Sequence, residues 1–484
     1  MQLRAIQRIL GLLLMVFSTS MLPPLFVSWW FHDAHDHAFS IAFVLTLLTG
    51  LLLWLPVRGR RRELRLRDGF VIVVMFWTVL GLFGALPFAF LKDPSMAVSD
   101  AVFESISGLT TTGATVITGI DRLPQSVLWY RQQLQWLGGM GIIVLAVAIM
   151  PMLGVGGMQL FRAETPGPMK ENKLTPRITE TAKALWYIYL GLTVACAVAY
   201  WAAGMGLFDA LGHAFSTISI GGFSTHDQNM GYFRDQPEIE LIAIVFMLVS
   251  GANFALHFVA WRRFSLKPYL ADAEFRTYIG VLGIVALLTT VFLYGEHTFS
   301  SFPRAALNGV FQAVSIGTTA GFTTSEYHTW PSFLPVLLLF SSFIGGCAGS
   351  TGGGLKVLRF LLLLKQGLRE IARLIHPSAL IPIKVGDKSL PDRVVDAVWG
   401  FFAAYVAVFS VMLLVLMATG LDQITAFSAV AACMNNLGPG LGEVGPNYGS
   451  VSDSAKWVLC LAMLLGRLEI FSILVLFTPT FWRR

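Results

Sequence analysis

The stretch Glu104–Thr115, ESISGLTTTGAT, ends a short helix-like segment on the turn Thr111-Thr112-Gly113, and the chain builds the same feature three more times. The later turns are Ile220-Gly221-Gly222, Thr319-Ala320-Gly321 and Asn436-Leu437-Gly438, and the four closing glycines are 109, 99 and 117 residues apart. Each turn follows an apolar helix and a shorter segment, and each is followed by another long apolar segment. A single glycine turn is an ordinary loop at a helix end. Four in one context describe a pore lined by backbone carbonyls. The first and third agree best, Gly113-Ala114-Thr115 against Gly321-Phe322-Thr323, and the second keeps Gly222-Phe223-Ser224-Thr225. The fourth has drifted furthest, with Asn435, Asn436 and Pro439 around Gly438.

Composition places these turns in a membrane. Hydrophobic residues make up 55% of the 484 and charged residues 13%, with mean hydropathy +0.68, far from a soluble domain. A spanning helix needs roughly 20 apolar residues, and ten stretches qualify: 9–30, 38–56, 70–90, 133–154, 184–205, 239–261, 277–295, 333–364, 394–419 and 457–480. The first carries Arg4 and Arg8 before it, as a signal peptide would. Its apolar run is too long for a signal core and Pro23-Pro24 interrupts it, so it reads as a retained helix.

The net charge of +6 does not point to nucleic acid, because of where the positive residues fall. Arg58, Arg60, Arg61, Arg62, Arg65 and Arg67 crowd one loop; Arg162, Lys170, Lys173, Arg177 and Lys183 a second; Arg262, Arg263, Lys267 and Arg276 a third; and a fourth runs from Lys356 to Arg393. With Arg4, Arg8, Arg483 and Arg484, 27 of 34 basic residues lie on one side of a ten-span topology. Lys92, Arg122, Arg131, Arg234, Arg304 and Lys456 lie on the other. The positive-inside rule then puts both termini in the cytoplasm. Cys196, Cys347, Cys433 and Cys460 all lie in apolar stretches with no zinc spacing and read as inert buried thiols.

Between outer and inner apolar helices, the segments 97–109, 207–219, 303–317 and 422–435 are too short and too mixed to cross a bilayer. They carry Glu104, Ser105 and Ser107; Asp209, His213 and Ser216; Asn308 and Gln312; Thr425 and Ser428. Such groups avoid lipid, so re-entrant helices buried in protein are predicted. A helix stopping halfway aims its partly negative C-terminal end at the membrane centre. The chain must then leave as extended backbone whose carbonyls line water or hold an ion, and glycine lets four such strands approach one axis. Dehydration of a monovalent cation by backbone oxygens is the chemistry that results.

Two further features lie on the expected path. Gly345-Gly346-Cys347-Ala348-Gly349-Ser350-Thr351-Gly352-Gly353-Gly354 interrupts an apolar span. It is no phosphate-binding loop, because Leu355 follows Gly354 and Lys356 comes one position late. A glycine run inside a span breaks the helix and needs a cavity, with a packing kink as the plainer reading. Arg467 lies mid-span, where an ionised group costs at least about 2.5 kcal/mol and should face the interior with a partner. Glu469 is two residues away and points elsewhere on a helix. Arg467 either enters the cavity below the filter or makes a structural pair with a buried acid such as Glu104 or with loop carbonyls. His32, His35 and His37 with Asp33 and Asp36 match no standard metal spacing and read as solvated loop. Asn253 and His257 read as an interhelical hydrogen-bonding pair, and Glu104 as an anchor for its pore helix that does not touch the ion.

In these turns, pore segments and spans, the chain resembles the TrkH/TrkG/KtrB superfamily of bacterial potassium transporters over essentially its whole length. The two additional N-terminal spans, 9–30 and 38–56, make it similar to the TrkH branch. The resemblance implies an all-α polytopic membrane protein with four fused helix–pore-loop–helix repeats around a pseudo-fourfold pore, plus two N-terminal transmembrane helices. The units would be 1–67, then repeats at 68–162, 163–262, 263–375 with the intramembrane glycine loop 345–354, and 376–484. It further implies that Thr111, Thr112, Gly113, Ile220, Gly221, Gly222, Thr319, Ala320, Gly321, Asn436, Leu437 and Gly438 bind potassium. Gly345, Gly346, Gly349, Gly352, Gly353, Gly354 and Arg467 would gate the path. The filters lack the TVGYG run of potassium channels, which implies weaker selectivity. A homodimer regulated by a soluble TrkA-type nucleotide-binding subunit is carried over by the resemblance.

The expected function is potassium uptake across the bacterial inner membrane by gated permeation, with potassium as cargo, membrane lipid around the chain, no cofactor bound by it and no nucleic acid. No catalytic constellation is present, so an enzyme is not expected. A symporter coupled to protons or sodium is the alternative, although midplane ionisable groups suited to it are few.

Overall fold

The computed structural model describes residues 2–33, 35–59, 66–141, 178–331, 333–386, 388–468 and 470–483. Arg60, Arg61, Arg62, Arg65, Arg162, Lys170, Lys173, Arg177, Glu469, Arg484 and most of the 133–154 span lie outside the described residues. The first span is continuous across Pro23-Pro24: Leu3–Ser18 passes through a short 3-10 turn into Leu22–Phe31. Proline is tolerated in the first turn of the new segment because no intrahelical donor is lost there. Asp36–Trp54 returns against it. The two cross closely at small residues, since a Cβ on Gly11 would lie 2.8 Å from the Gly50 carbonyl oxygen.

Four helix trios follow. The outer helices are Leu66–Gly84, Ile178–Ala202, Ala273–Gly295 and Asp392–Ala418. The pore helices are Val98–Leu109, Leu207–Ser219, Phe302–Gly317 and Gln423–Met434, within a residue or so of the sequence expectation. The inner helices are Gln125–Gly139, Pro237–Ser250, Leu334–Ile344 and Asp453–Leu468. Outer helices leave many apolar side chains outward, among them Val198, Leu287 and Leu414, whereas the pore helices are almost wholly buried. Among the described residues, the strands are one two-residue ladder, Lys384 opposite Ser389 and Val385 opposite Lys388.

The inner helices depart from the sequence reading. At 11 to 16 residues and 1.5 Å per residue, each is too short for a hydrocarbon core about 30 Å thick. The second ends at Gly251, and the chain turns by 96° into Phe254–Arg263. Asn253 starts that helix, its Oδ1 accepting from Ala255 N at 2.8 Å. Asn253 is therefore a cap, while His257 makes the interhelical hydrogen bonds expected from sequence, to Val249 O and Tyr269 Oη on two other helices. The third inner helix stops at the glycine run and resumes as Val357–Ile375. Among the described residues, six helices are long and apolar enough to span alone, or eight counting bent pairs, against ten apolar stretches in the sequence. Where the second and third inner helices end, at Gly251 and Gly345, the low helix propensity of glycine is the physical reason, whereas the fourth runs through Gly466 to Leu468.

Several basic residues assigned to loops are internal. Arg131 is fully buried on the first inner helix, Arg359, Arg369 and Lys456 are buried, and Lys356 stands half-buried at the end of the intramembrane loop. Lys456 pairs with Asp100 at 2.6 Å and Arg304 with the buried Glu240 at 3.2 Å.

On the side where the pore helices begin, His226 clamps two repeats together. Its ring lies 2.7 Å from Asp121 and 3.5 Å from Asp209, stacked on Tyr232 at 3.6 Å. Burial lowers its pKa, but the bonds to Asp209 and Asp121 outweigh this and hold it above 6.5. The clamp's contribution is therefore fully present below pH 6.5 and is lost as pH rises through the raised value. Partial exposure limits it to no more than about 1 kcal/mol. Thermal unfolding in detergent should show stability falling with pH above 6.5, and His226→Gln should remove that component of the slope.

Candidate functional site

Each pore helix ends the same way. Thr111, Ile220, Thr319 and Asn436 take left-handed φ values of 55°, 54°, 69° and 52°. The next residue donates its N–H five residues back: Thr112 to Ser107, Gly221 to Ser216, Ala320 to Ser315 and Leu437 to Ala432, at 2.7–2.8 Å. This is the hydrogen bonding of a Schellman cap, which ordinarily places glycine at the left-handed position. Threonine and isoleucine there are strained, at about 1–3 kcal/mol each. Asparagine adopts the conformation more readily.

The glycine after each cap has φ between 76° and 97°, and its missing side chain closes a ring. A Cβ on Gly113 would fall on the carbonyl oxygen of Gly221, one on Gly222 on that of Ala320, and one on Gly321 on that of Leu437. One on Gly438 would come within 2.6 Å of Thr112 O. Each repeat thus rests its glycine against the middle carbonyl of the next, and the fourth returns to the first. All twelve turn residues named from sequence are brought together. The carbonyls in common register are those of Thr112, Gly221, Ala320 and Leu437, so the drifted fourth repeat keeps its place.

The extended strand leaving each turn is held to its own pore helix by polar side chains. Glu104 accepts from Val116 N at 3.1 Å, His213 meets Ser224 Oγ at 2.9 Å, Gln312 accepts from Thr324 N, and Ser428 accepts from Leu441 N at 2.8 Å. Asp209, Asn308 and Thr425 make the same kind of tie one turn earlier, to Thr225, Thr324 and Glu443 N. Burial of these groups inside protein, predicted from polarity alone, has this structural purpose.

Other supporting residues escaped the sequence reading. Arg131 pairs with Glu104 at 2.8 Å, both essentially unexposed, and donates to Ser224 O of the second strand and Thr115 Oγ1 of the first. Its guanidinium also covers Phe223 at 4.3 Å. Gln135 donates to Gly221 O at 2.6 Å, Asn229 to Gly222 O at 3.1 Å, and Tyr448 to Gly438 O at 2.8 Å. The available signal was polar residues facing an otherwise apolar inner helix. Glu104 is thus an anchor, as expected from sequence, and it is committed to Arg131 instead of Arg467.

The ring separates two environments. On one side is a cavity of about 680 Å³ lined by all four closing glycines, with His226, Asp227, Glu326 and Asn447 around it. On the other, the glycine loop is bonded to every repeat. Thr351 Oγ1 donates to Ile218 O at 3.0 Å, Gly353 N to Thr319 Oγ1 at 2.6 Å and Gly354 N to Asn435 O at 3.0 Å. Arg467 links Thr351 O at 3.3 Å to Gly138 O at 2.6 Å, adding the first and fourth inner helices. Its guanidinium also lies 5.3 Å from the Trp77 ring. Arg467 therefore takes loop carbonyls as partners in this conformation, one of the two arrangements its mid-span position allowed.

The remaining candidates have structural roles. Asp33 accepts from Ser28 Oγ and Ser126 N, tying the outer loop to the first inner helix. Burial raises its carboxyl pKa, but these bonds outweigh that and hold it below the usual carboxylate value. Among the described residues, no group of three or more His, Cys, Asp or Glu is placed to hold a metal. The four cysteines are buried and unbridged.

This arrangement, four C-terminal helix ends and four carbonyls converging on one axis, is built to stabilise positive charge without a protein anion in contact with it. The chain matches, over residues 35–484, the family model described as TrkH, cation transport protein. It is 60% identical to the Trk system potassium uptake protein TrkH of Vibrio parahaemolyticus and 57% identical to that of Escherichia coli, in each case over all of both chains. The TrkG protein of Escherichia coli is 42% identical over 99% of each chain. The crystal structure of the potassium transporter TrkH from Vibrio parahaemolyticus superposes with a TM-score of 0.91 at 57% identity, covering all of both chains. By sequence over its full length, and by a fold that closes four glycine turns into one ring, the chain belongs to the TrkH family of cation transport proteins.

Proposed function

We propose that this protein admits potassium across the bacterial inner membrane by gated permeation through the four-turn ring, and that Arg467 and the 345–354 loop obstruct the path beneath it. The observation that carries this reading is the cyclic contact of each closing glycine with the next repeat's carbonyl. That contact needs bare backbone on all four sides and has no use in a packing loop. In this reading the cavity lined by the glycines is the periplasmic mouth, both termini are cytoplasmic, and the five units keep the bounds 1–67, 68–162, 163–262, 263–375 and 376–484. The ring carbonyls replace part of the ion's hydration, and the pore-helix ends add negative potential. The loop supplies the barrier and Arg467 supplies repulsion. Two copies of the chain would assemble as a homodimer, with a TrkA-type nucleotide-binding subunit acting on the cytoplasmic face.

Permeation is favoured over proton or sodium coupling because the buried carboxylates of the described spans are engaged. Glu104 is paired with Arg131, Glu240 with Arg304, and Glu274 accepts backbone N–H groups of Ala348 and Leu358. Coupled transport needs such groups to exchange protons or ions at the midplane. A current reversing at the potassium Nernst potential whatever the proton gradient supports permeation. A reversal potential that follows the proton or sodium gradient overturns it.

Rubidium uptake in cells lacking other potassium systems, at matched expression, tests the ring. Gly113→Ser and Gly438→Ser each force a side chain onto a neighbouring carbonyl at positive φ, at about 1–3 kcal/mol. The preference for potassium over sodium should fall by about tenfold or more, and uptake indifferent to both substitutions sinks the filter assignment. Arg467→Ala should raise uptake on the order of tenfold by removing a fixed positive charge from beneath the ring. Unchanged uptake by correctly assembled protein would remove Arg467 from the gate.

A further inference from the structure

Lys356 stands where the glycine loop meets the helix Val357–Ile375, with φ 76° and ψ 136°. A side chain is strained in this region and glycine is not. Gly352, Gly353 and Gly354 precede Leu355, and the hinge then places lysine at a position where glycine would relieve strain. The ammonium donates back to the carbonyl oxygen of Gly352, four residues earlier. That bond closes a short ring around the segment 352–354, whose N–H groups reach Thr319 Oγ1 and Asn435 O beneath the third and fourth turns. The adjacent carbonyl, Thr351 O, is taken by Arg467. On the outer side of the hinge, Glu274 Oε1 accepts from Ala348 N at 2.6 Å and Leu358 N at 3.2 Å and interacts electrostatically with the Lys356 charge. Two successive carbonyls below the ring are thus held by two cations of the protein, one from the loop itself and one from the fourth repeat.

We propose that Lys356 is a positioning residue of the gate: its ammonium, bound to Gly352 O across a strained hinge, holds the segment 351–354 beneath the carbonyl ring. The proposal rests on the reading of that loop as the gate. The bond substitutes a tethered cation for a mobile one at a carbonyl on the conduction axis. It also compensates for backbone strain that would otherwise drive the hinge to relax. Movement of the Val357–Ile375 helix, which begins at the next residue, would break the bond and release the segment. Lys356 acts through Gly352 O, so its removal should alter how often the path is open and leave ion binding at the ring unchanged.

The test is rubidium flux into liposomes reconstituted with the purified full-length protein, as a function of rubidium concentration. Lys356→Met should raise the maximal rate by about fivefold, a modest shift in a two-state equilibrium, with the half-saturating concentration unchanged. Lys356→Arg, which keeps a cationic donor, should stay near wild type. Arg467→Ala, run in parallel, reports on the gate itself. If Arg467→Ala raises flux and Lys356→Met does not, this inference fails while the gate reading stands. If neither changes flux, the gate reading fails and takes this one with it. A rise as large in Lys356→Arg as in Lys356→Met, or a shifted half-saturation, also overturns the positioning role. Should Lys356→Met not assemble, Lys356→Gln is read in its place, and failure of both to assemble assigns Lys356 to folding and overturns the inference.

Discussion

The structure depends on one constraint: backbone carbonyls placed at membrane depth must have a cation, water or a donor to face. Four strands can meet this requirement on a common axis only if nothing stands between them, and the bare Cα of each closing glycine against the next carbonyl is the contact that results. The rest of each repeat serves that contact. The pore helix must stop at a set depth, so it ends in a left-handed cap even where the residue is threonine or isoleucine. The strand must leave without collapsing onto lipid, so polar side chains tie it back to its own helix. In the second and third repeats the inner helix ends at glycine beneath the ring.

The repeats satisfy these demands with different chemistry. Glu104, His213, Gln312 and Ser428 all hold a departing strand, yet one is an anion buried with Arg131, one an imidazole, one an amide and one a hydroxyl. A symmetric assembly of four identical chains would need one solution at all four places. Fusion into a single chain removes that restriction, because each position answers only to its own neighbours. It also lets the third repeat alone carry a long glycine loop, and the fourth supply an arginine that fastens it. A buried ion pair such as Glu104–Arg131 adds little net stability. Here it joins the first pore helix, the first inner helix and the second strand, and so fixes the register between adjacent repeats.

The sequence carried the membrane class, the four turns and the pore-helix limits, because each rests on local pattern: a long apolar run, a short mixed segment, a closing glycine. Arg467 was visible because a charge inside a span is conspicuous. Arg131, Gln135 and Lys356 were not legible in this way. Arg131 and Lys356 sit at the margins of apolar segments, where sequence alone assigns them to a loop, and Gln135 lies unremarked inside the 133–154 stretch; neighbours more than 80 residues away give Arg131 and Gln135 their roles. The break in the third inner segment was legible as a glycine run, but the bend after Gly251 in the second was not. Hydropathy reports that a segment prefers lipid or protein to water and does not report whether its hydrogen bonds continue through a central glycine.

By itself, then, the amino-acid order determined the number of repeats, their spacing and the residues of the four turns, since periodicity and polarity are properties of the chain. Tertiary structure decided which carbonyls face one another, that the second inner helix bends after Gly251, and that Arg467 and Lys356 hold neighbouring oxygens of one loop. Those facts depend on four segments, each about a hundred residues from the next, arriving at the same axis, and no local pattern encodes the distance between them.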